Sequence, residues 1–482
     1  MTYTIEKVTT LIGARRYGDK DTNIGFILTD SRSLCFPEET LFFALKSERN
    51  DGHNYIPELY RRGVRNFVVT NVPKGYASDY PEANFLKVVN TLEALQRLAE
   101  RHRDEFNIPI VGITGSNGKT MVKEWLYQLL SPSMFVTRSP RSYNSQIGVP
   151  LSVWLMNEQT EVGVFEAGIS QPGEMLALRD IIQPTIAVLT YLGSAHQENF
   201  ESLEAKCREK IILFHDAETI VYNGDDEIVS KVVGEYHDYK GEKLYWSQKD
   251  AEAPFFIKSI EKKNDLTIVT YIYKGEEDSY SLPFIDEASV TNSIISAVVS
   301  RKLGLSAEDV DKRMSLLEPV AMRLEVKEGQ HGCTLINDSY NSDINSLDIA
   351  LDFMSRRPDH KGRRHTLILS DIFQSGETPA DLYKEVSDLC RKRGVVKFIG
   401  VGPQLYEQSD EIQISEKFFF RNVEEFIDSE VFKSLRDEVI LLKGARQFGF
   451  DQLTELLVKK VHETTLEVNL NAVVANLNYY RS

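Results

Sequence analysis

Residues 110–120 read IVGITGSNGKT, an apolar run that leads into a glycine-rich loop and a Lys-Thr pair. The residues that follow, MVKEWLYQLL, repeat apolar side chains at the spacing of a helix. A strand, a glycine loop and a helix in this order are typical of a phosphate-binding loop. Its glycines let backbone N–H groups point inward, Lys119 reaches terminal phosphates and Thr120 ligates magnesium. The loop residues predicted to bind ATP are Gly115, Ser116, Asn117, Gly118, Lys119 and Thr120.

The alternation of strands and helices continues beyond this loop. The apolar runs VGVFEAG, TIAVLTYLG and TIVYNGD are separated by helix-like stretches, as in a doubly wound parallel sheet. Between residues 254 and 283 the pattern has period two, which predicts antiparallel strands with a turn at Lys274-Gly275. A further β/α block contains CTLIND, HTLILSD, VVKFIGVG and EVILLKGAR, and the first hundred residues close with the helical pattern TLEALQRLAERHR. We expect an α/β protein with domains at residues 1–105, 106–318 and 319–462.

Composition and charge narrow the function classes. The chain has 42% hydrophobic and 27% charged residues, and no apolar run reaches the roughly 18 residues of a membrane span. Its start has no apolar signal-peptide core, so we expect a cytoplasmic protein without membrane insertion. With 56 Lys and Arg against 72 Asp and Glu, the net charge of −16 argues against a nucleic-acid partner. The four cysteines form no CxxC pair, which indicates neither a zinc site nor a disulfide framework.

The glycine loop is shorter than the usual GxxxxGK[ST] pattern, because Ile113 stands where the first glycine would be. This shortened form resembles the TGxxGK[ST] loop of the Mur ligases and their folylpolyglutamate synthase relatives. The resemblance implies a central P-loop ATPase domain with a parallel sheet, a domain before it that binds a UDP-linked substrate, and a Rossmann-like C-terminal domain. It also implies ATP and two magnesium ions as cofactors.

Three motifs after the loop extend the resemblance to the metal site. Glu166 in FEAG is similar to the family glutamate that holds magnesium, and His196 in GSAH to the histidine that ligates a second magnesium. Lys210, on the helix after that turn, falls where these ligases carry a carbamylated lysine. Lys206 is the alternative if the register differs by one helical turn. With Lys119, the residues Glu166, His196 and Lys210 form the predicted catalytic set.

Other matches concern the nucleotide and the UDP-linked substrate. By resemblance, Asn292 contacts adenine, Arg323 the nucleotide phosphates, Asp338 the ribose region and Asn144 the substrate near the phosphates. Family members usually write G-x-H-N before the asparagine at 292, whereas this chain has DEAS at 286–289. The N-terminal stretch TDSR and LFFALKSERNDGHNYI are similar to the UDP-binding domain. The substrate residues predicted there are Ser31, Arg32 and Lys46, although a DSR turn equally caps a helix.

The C-terminal block indicates which member of the family is most similar. Asp338-Ser339-Tyr340-Asn341 matches the ligase that adds D-alanyl-D-alanine to UDP-N-acetylmuramoyl-tripeptide, and the DNPR motif of the ligase that adds the third residue is absent from the sequence. Asp343-Ile344 departs from the Asn-Pro usual in the former enzyme. The segment KGAR at 443–446 predicts that Lys443 and Arg446 face an acyl phosphate or a dipeptide carboxylate, beside Tyr340 and Asn341. The alternatives are the sister ligase that adds diaminopimelate or lysine, and a nucleotide-binding scaffold without turnover.

Residues 463–482 carry a separate resemblance. TLEVNLNA at 465–472 and the VVANLNYYRS that follows resemble the opening strand and helix of alanine racemases. This implies that the native chain continues into an alanine racemase domain, and that this fragment ends before the lysine that would bind pyridoxal phosphate. A C-terminal amphipathic helix is the alternative.

Overall fold

Four β-sheets organise the chain. The computed structural model describes residues 1–34, 36–47, 50–193, 199–237, 239–263, 266–320, 325–339, 343–356, 362–372, 378–445 and 448–459. Within these ranges the sheets have two, five, nine and six strands. The predicted α/β class is confirmed. The racemase-like residues 463–482 lie outside the described ranges, and so does Cys35, while Cys207, Cys333 and Cys390 are free and buried.

The first block is a small sheet covered by helices. Its strands are β1 (Tyr3–Thr4), β2 (Arg15–Tyr17), β3 (Asn23–Ile24), β4 (Phe26–Leu28), β5 (Thr40–Phe43), β6 (Asn66–Val69) and β7 (Asn84–Lys87). Its helices are α1 (Ile5–Leu11), α2 (Ile56–Arg61), α3 (Tyr76–Asp79) and α4 (Thr91–Arg103). The main sheet has the order β2-β7-β6-β5-β4, with β4 to β7 parallel. Asn90 caps the predicted helix α4, whose Leu95 and Leu98 are buried.

The central block is a nine-stranded sheet. Its strands are β8 (Ile110–Thr114), β9 (Val136–Arg138), β10 (Val162–Glu166), β11 (Ile186–Leu189), β12 (Thr219–Asn223), β13 (Glu242–Ser247), β14 (Phe255–Lys263), β15 (Leu266–Tyr273) and β16 (Glu276–Leu282). Its helices are α5 (Lys119–Leu130), α6 (Gly148–Val153), α7 (Glu174–Ile182), α8 (Leu203–Lys210), α9 (Glu227–Gly234), α10 (Glu287–Lys302) and α11 (Ala307–Met314). The strand order is β16-β15-β14-β13-β12-β11-β8-β10-β9.

The strand directions in this sheet match the sequence patterns. Strands β8 to β14 pair in parallel, whereas β15 and β16 are antiparallel and meet at the predicted turn, where Lys274 has φ +55 and Gly275 φ +81. Both faces are covered: Val111 and Ile113 pack in one buried cluster with side chains of α5 and α10, while Ile110 packs in another with side chains of α7. The central sheet is therefore doubly wound, as predicted.

The direction of the chain across this sheet reverses at β8. From β8 the chain runs out to β9 and back through β10, and then crosses to β11 on the other side of β8. The carboxyl ends of β8, β10 and β11 therefore meet at one edge, where ligands of open α/β sheets bind. The glycine loop and Glu166 both follow strands that end there.

The third block is again a mainly parallel sheet. Its strands are β17 (Glu325–Glu328), β18 (Thr334–Asp338), β19 (Arg364–Ser370), β20 (Lys397–Val401), β21 (Glu416–Phe420) and β22 (Glu438–Lys443). Its helices are α12 (Ile344–Arg356), α13 (Pro379–Lys392), α14 (Pro403–Glu407), α15 (Val423–Asp428), α16 (Glu430–Lys433) and α17 (Phe450–Leu457). The order is β17-β18-β22-β19-β20-β21, and every pair except β17–β18 is parallel.

The changes from one sheet to the next fall close to the predicted domain limits. The first change lies between the end of α4 at Arg103 and the start of β8 at Ile110, and the second between Met314 and Glu325. The exact domain limits remain predictions. None of the helices in the described ranges is both long and apolar enough to span a bilayer.

Candidate functional site

The predicted phosphate loop connects β8 to α5 in a fixed conformation. Gly115 has φ +143 and Gly118 φ +87, values that side chains other than hydrogen rarely tolerate. A Cβ on Gly115 would lie 2.1 Å from Thr190 Oγ1, just after β11. The Ser116 hydroxyl donates to the carbonyl of Gly193 (3.0 Å) and accepts from the N–H of the same residue (2.9 Å). The segment after β11 therefore holds the loop in place.

Three lysine side chains converge on this loop and on Gly193 beside it. Lys119 Nζ donates to the carbonyls of Gly115 (2.7 Å) and Ser116 (3.2 Å). From helix α8, Lys210 Nζ donates to the same Gly115 carbonyl (3.2 Å) and Lys206 Nζ to the Gly193 carbonyl (2.5 Å). In a chain of net charge −16, this concentration of positive charge favours an anionic ligand at the loop.

The two lysines of α8 are both buried, at 2% exposed for Lys210 and 1% for Lys206. The pKa of Lys210 is held well below its usual value. Burial is the largest cause, and repulsion from Lys119 and Lys206 adds to it. Burial lowers the pKa of Lys206 to about 8; Lys119 adds to this shift, while Asp343 opposes it. Because both side chains reach the loop, their positions alone do not separate the predicted Lys210 from its alternative, Lys206.

Thr120 and Glu166 lie together beneath the loop. The Thr120 hydroxyl donates to Glu166 Oε2 at 3.0 Å, and the Glu166 carboxylate at the end of β10 has no exposed surface. Glu166 Oε1 is buried and accepts no hydrogen bond from the described residues. Magnesium takes oxygen ligands in octahedral geometry at about 2.1 Å, which puts neighbouring ligand oxygens about 3 Å apart. The spacing of these two oxygens, and the unsatisfied anionic oxygen beside them, fit a magnesium site.

Sequence reasoning missed a fourth lysine at this site. Lys123, one helical turn after Lys119, is fully buried and its Nζ lies 3.2 Å from Glu166 Oε1. The contact is an ion pair without hydrogen-bond geometry. The only sequence signal was the spacing of four residues, which puts Lys119 and Lys123 on the same face of α5.

A cavity of about 330 Å³ opens beside the loop. One wall is formed by the loop and the start of α10, and the other by the end of β18, α12 and the residue after α13. Asn292 lies on the first wall, where its Nδ2 donates to Met121 Sδ at 3.2 Å. At the departure from the family pattern, residues 286–289, Asp286 caps α10 by accepting from the N–H of Ser289 at 2.8 Å. Burial raises the pKa of the Asp286 carboxyl.

The opposite wall carries three ion pairs that join distant parts of the chain. Asp338, at the end of β18, pairs with Lys443 at the end of the adjacent β22, with 2.6 Å between Nζ and Oδ2, and both residues are buried. The predicted substrate residue Lys443 thus neutralises the predicted ribose-binding residue. Arg393, which sequence reasoning also missed, pairs with Asp348 at 2.7 Å and with Asp352 at 2.5 Å.

The residues predicted to bind the UDP-linked substrate are more exposed. Ser31 and Arg32 lie in a short 3₁₀ turn capped by Asp30, which accepts from the Arg32 N–H at 3.0 Å and pairs with its guanidinium at 2.6 Å. In this structure the DSR segment therefore forms a capped turn, which is the alternative to substrate binding given above. The Lys46 side chain is 71% exposed. The carbonyl of Asn144 accepts from the N–H of Gly168 (2.8 Å), at the turn after Glu166.

The remaining predicted site residues lie outside the described ranges, so the structure gives no position for them. They are His196, Arg323, Tyr340, Asn341 and Arg446. Among the residues whose placement is described, no group of three or more His, Cys, Asp and Glu side chains forms a metal cluster.

Part of the chain matches a family model, and most of its length is similar to curated ligases. Residues 113–300 match the Mur ligase middle domain. Over 465 residues the chain is 25% identical to UDP-N-acetylmuramoyl-tripeptide--D-alanyl-D-alanine ligase of Bacillus subtilis, covering 91% of this chain and 94% of the relative. A relative of the same name in Borreliella burgdorferi is 27% identical over 449 residues. The match covers 90% of this chain and 93% of that relative.

Solved structures show the same fold. A crystal structure of MurF from Acinetobacter baumannii matches with a TM-score of 0.80 at 21% identity, covering 95% of this chain and 99% of that one. MurF ligase from Thermotoga maritima in complex with ADP gives a TM-score of 0.73 at 22% identity, covering 89% and 96%. The chain therefore shares the mixed α/β fold of these two structures over 95% and 89% of its length, and this likeness is what the sequence resemblance predicted.

Proposed function

We propose that this chain is a Mur ligase that joins D-alanyl-D-alanine to UDP-N-acetylmuramoyl-tripeptide at the expense of ATP, in peptidoglycan precursor synthesis. The observation that carries the proposal is the phosphate loop, with three lysines above it and the Thr120–Glu166 pair below it. The loop lies in a chain that is similar to ligases of that name over about nine-tenths of its length, at 91% and 90%. We expect the enzyme to act in the cytoplasm.

The reaction has two chemical steps. The terminal carboxylate of the tripeptide attacks the γ-phosphorus of ATP, which forms an acyl phosphate and releases ADP. The free amine of D-alanyl-D-alanine then attacks the acyl carbon, forms the amide and expels inorganic phosphate while the amine loses a proton. Activation is required because a carboxylate is a poor electrophile. Catalysis of this kind consists mostly of positioning and charge neutralisation.

The phosphate loop supplies both requirements. Its backbone N–H groups and the N-terminus of α5 hold the phosphates, and Lys119 moves from the loop carbonyls to the terminal phosphate. Asn292 and Asp338, which line the cavity on opposite walls, hold the adenine and ribose ends of the nucleotide. Because the two walls come from different sheets, closure of the third block over ATP gates turnover.

Thr120 and Glu166 are the described residues that would hold magnesium, joined by His196 and by Lys210 in carbamylated form. Magnesium held by these residues would supply positive charge to offset the charge of the nucleotide phosphates. The proposal is supported by the 3.0 Å spacing of the Thr120 and Glu166 oxygens and by the unsatisfied Oε1.

Carbamylation of Lys210 is supported by its surroundings. Only a neutral amine adds CO₂, and burial beside two other lysines lowers the pKa of Lys210 well below its usual value. Addition of CO₂ turns the amine into an anionic carbamate and releases one proton. That change provides a negatively charged ligand for the two metal ions, which a protonated lysine would repel.

The substrates bind at the outer parts of the site. Ser31, Arg32 and Lys46 take the uridine diphosphate, and Asn144 takes the substrate near the phosphates. The segment with Tyr340 and Asn341, together with Lys443 and Arg446, takes the dipeptide. Within that set the described Lys443 acts through Asp338, its ion-pair partner.

An acceptor panel tests this assignment. The enzyme is incubated with ATP, magnesium and UDP-N-acetylmuramoyl-tripeptide, and the product is identified by its mass. We expect D-alanyl-D-alanine to be joined and free lysine or diaminopimelate to be left unused. Efficient addition of either amino acid to the UDP-muramoyl dipeptide, with no dipeptide turnover, would identify the sister ligase. Nucleotide binding with no turnover of any acceptor would identify a scaffold.

We also propose that residues 463–482 begin an alanine racemase domain of the native protein. The support is the TLEVNLNA resemblance alone. Sequencing of the gene tests this proposal. We expect an open reading frame that continues through a lysine for pyridoxal phosphate, and a stop codon directly after Ser482 would contradict the proposal. Residues 1–482 alone should bind no pyridoxal phosphate and should not racemise alanine.

A further inference from the structure

Lys123 is buried at the centre of the site, but neither the phosphate loop nor the proposed metal set accounts for it. It belongs to α5, one turn after the loop, and has no exposed surface. A buried ammonium is strongly unfavourable unless oxygen atoms surround it. The identity of those oxygens indicates what Lys123 does.

Four oxygen atoms surround the Lys123 ammonium. Its Nζ donates to the carbonyls of Ser139 (2.9 Å) and Arg141, and lies 2.8 Å from a Glu124 carboxylate oxygen. Glu166 Oε1 lies 3.2 Å away but accepts no hydrogen bond. The two carbonyls take up two of the three N–H groups of the ammonium, whereas the contacts with Glu124 and Glu166 are ion pairs. Glu166 is attracted by the charge without losing its accepting capacity.

The two carbonyls belong to the segment 139–144, which contacts the site at several points. The Ser139 hydroxyl accepts from the backbone N–H of Glu166 at 3.2 Å, and the Ser142 hydroxyl lies 3.1 Å from that of Thr120. Arg141 has φ +49, a left-handed conformation that residues other than glycine adopt only at an energetic cost. Such a conformation persists only where contacts hold it, and Lys123 holds its carbonyl.

We propose that Lys123 is a positioning residue that fixes the Glu166 carboxylate and the segment 139–144 to helix α5, so that magnesium, nucleotide and UDP-linked substrate meet in one geometry. The inference rests on the proposed nucleotide site. Lys123 touches no substrate and acts through Glu166 and through the Ser139 and Arg141 carbonyls.

If Lys123 had a purely structural or a purely electrostatic role, its removal would affect magnesium binding differently than if it positions Glu166. Removing a positive charge 3.2 Å from a metal carboxylate would by charge alone tighten magnesium binding. Removing a mere packing group would lower stability and leave magnesium binding unchanged. Loss of a group that orients a ligand weakens metal binding, typically by about 10–100-fold.

The test compares Lys123→Met with Lys397→Met. Lys397 is another buried lysine, paired with buried Glu438 at 3.1 Å in the six-stranded sheet, and its ion-pair partners in the described ranges are not site residues. The measurement is the magnesium concentration that gives half-maximal binding of ADP, with circular dichroism as the check on folding. For Lys123→Met we expect this concentration to rise roughly tenfold or more, and for Lys397→Met to stay at the wild-type value. An unchanged or lowered requirement in Lys123→Met overturns the proposal.

Hydrogen exchange on the wild-type protein keeps the inference testable if Lys123→Met does not fold. Amides of 139–144 should exchange no faster than those of α5, because one side chain ties the two together. Exchange of this segment more than about a hundredfold faster than α5 would overturn the proposal. Wild-type protein that binds no ADP at any magnesium concentration refutes the proposed function instead, and the exchange experiment still decides the role of Lys123.

Discussion

Gly118→Ala is the substitution whose consequence the structure defines most closely. Gly118 caps α5 with φ +87, and a Cβ there would lie 2.5 Å from Asn292 Oδ1. Gly173 is its natural control, because it caps α7 with φ +85 and a Cβ there meets no atom within 4 Å. The two substitutions share the backbone penalty and differ in the contact with Asn292.

The magnitudes follow from these two contributions. Alanine in the left-handed region costs roughly 1–2 kcal/mol, and the less flexible unfolded chain returns about 0.4–1 kcal/mol. Gly173→Ala should therefore lower the free energy of unfolding by about 1 kcal/mol. Gly118→Ala must also push the Asn292 amide outward, and crowding of this kind costs about 1–3 kcal/mol. The displaced amide faces the cavity, so affinity for ADP should fall about five- to tenfold, or about 1–1.4 kcal/mol.

Denaturant unfolding and ADP titration of both variants measure these quantities. Adding Asn292→Ala to Gly118→Ala should recover stability, because the crowded atom is gone, but should not recover ADP affinity. Equal ADP affinity in Gly118→Ala and Gly173→Ala would refute the assignment of this wall to the nucleotide. Equal stability of the two variants would refute the contact itself.

Three further outcomes are expected for the lysines around the loop. Lys119→Ala should reduce ligation at least about tenfold, a loss of 1.4 kcal/mol or more in transition-state binding, and steady-state kinetics measures it. Lys210→Ala should lose most ligation but keep ATP binding, and added short carboxylates should restore part of the rate; full activity with an unmodified amine, shown by mass spectrometry, would exclude the carbamate. Lys206 has its folded-state pKa lowered from 10.5 to about 8, so the folded protein resists its protonation. The unfolding free energy of wild type should therefore rise relative to Lys206→Met as pH increases from about 8 to about 10, and parallel curves would refute the shift.

The phosphate loop was predictable because its determinants are local in sequence. Gly115 and Gly118 follow β8 directly and precede an amphipathic helix, and the structure has the strand, loop and helix in that order. The period-two pattern around Lys274-Gly275 also predicted its hairpin, since a turn and alternating side chains need no distant partner.

Contacts between distant segments were not predictable in the same way. The Asp338–Lys443 pair forms because β18 lies beside β22 in the six-stranded sheet, although the two residues are 105 positions apart in the sequence. Arg393 meets Asp348 and Asp352 only once α12 and α13 pack together. A single sequence carries no signal for such pairings. The prediction from sequence therefore placed Lys443 at the substrate and did not include its ion pair with Asp338.

Lys123 illustrates a different limit. Its helical position places it on the Lys119 face, but a lysine in a helix is most often solvated, and burial was not foreseen. The capping turn at Asp30 shows the opposite case, because a recognised alternative for TDSR is realised in the structure.

Oxygen tracing measures the central claim, ligation through an acyl phosphate, most directly. The terminal carboxylate of UDP-N-acetylmuramoyl-tripeptide is labelled with ¹⁸O, and the enzyme is supplied with ATP, magnesium and D-alanyl-D-alanine. One carboxylate oxygen should leave with inorganic phosphate and the other should remain in the new amide, so each amide formed should yield one singly labelled phosphate. Release of unlabelled phosphate together with amide formation would contradict the account.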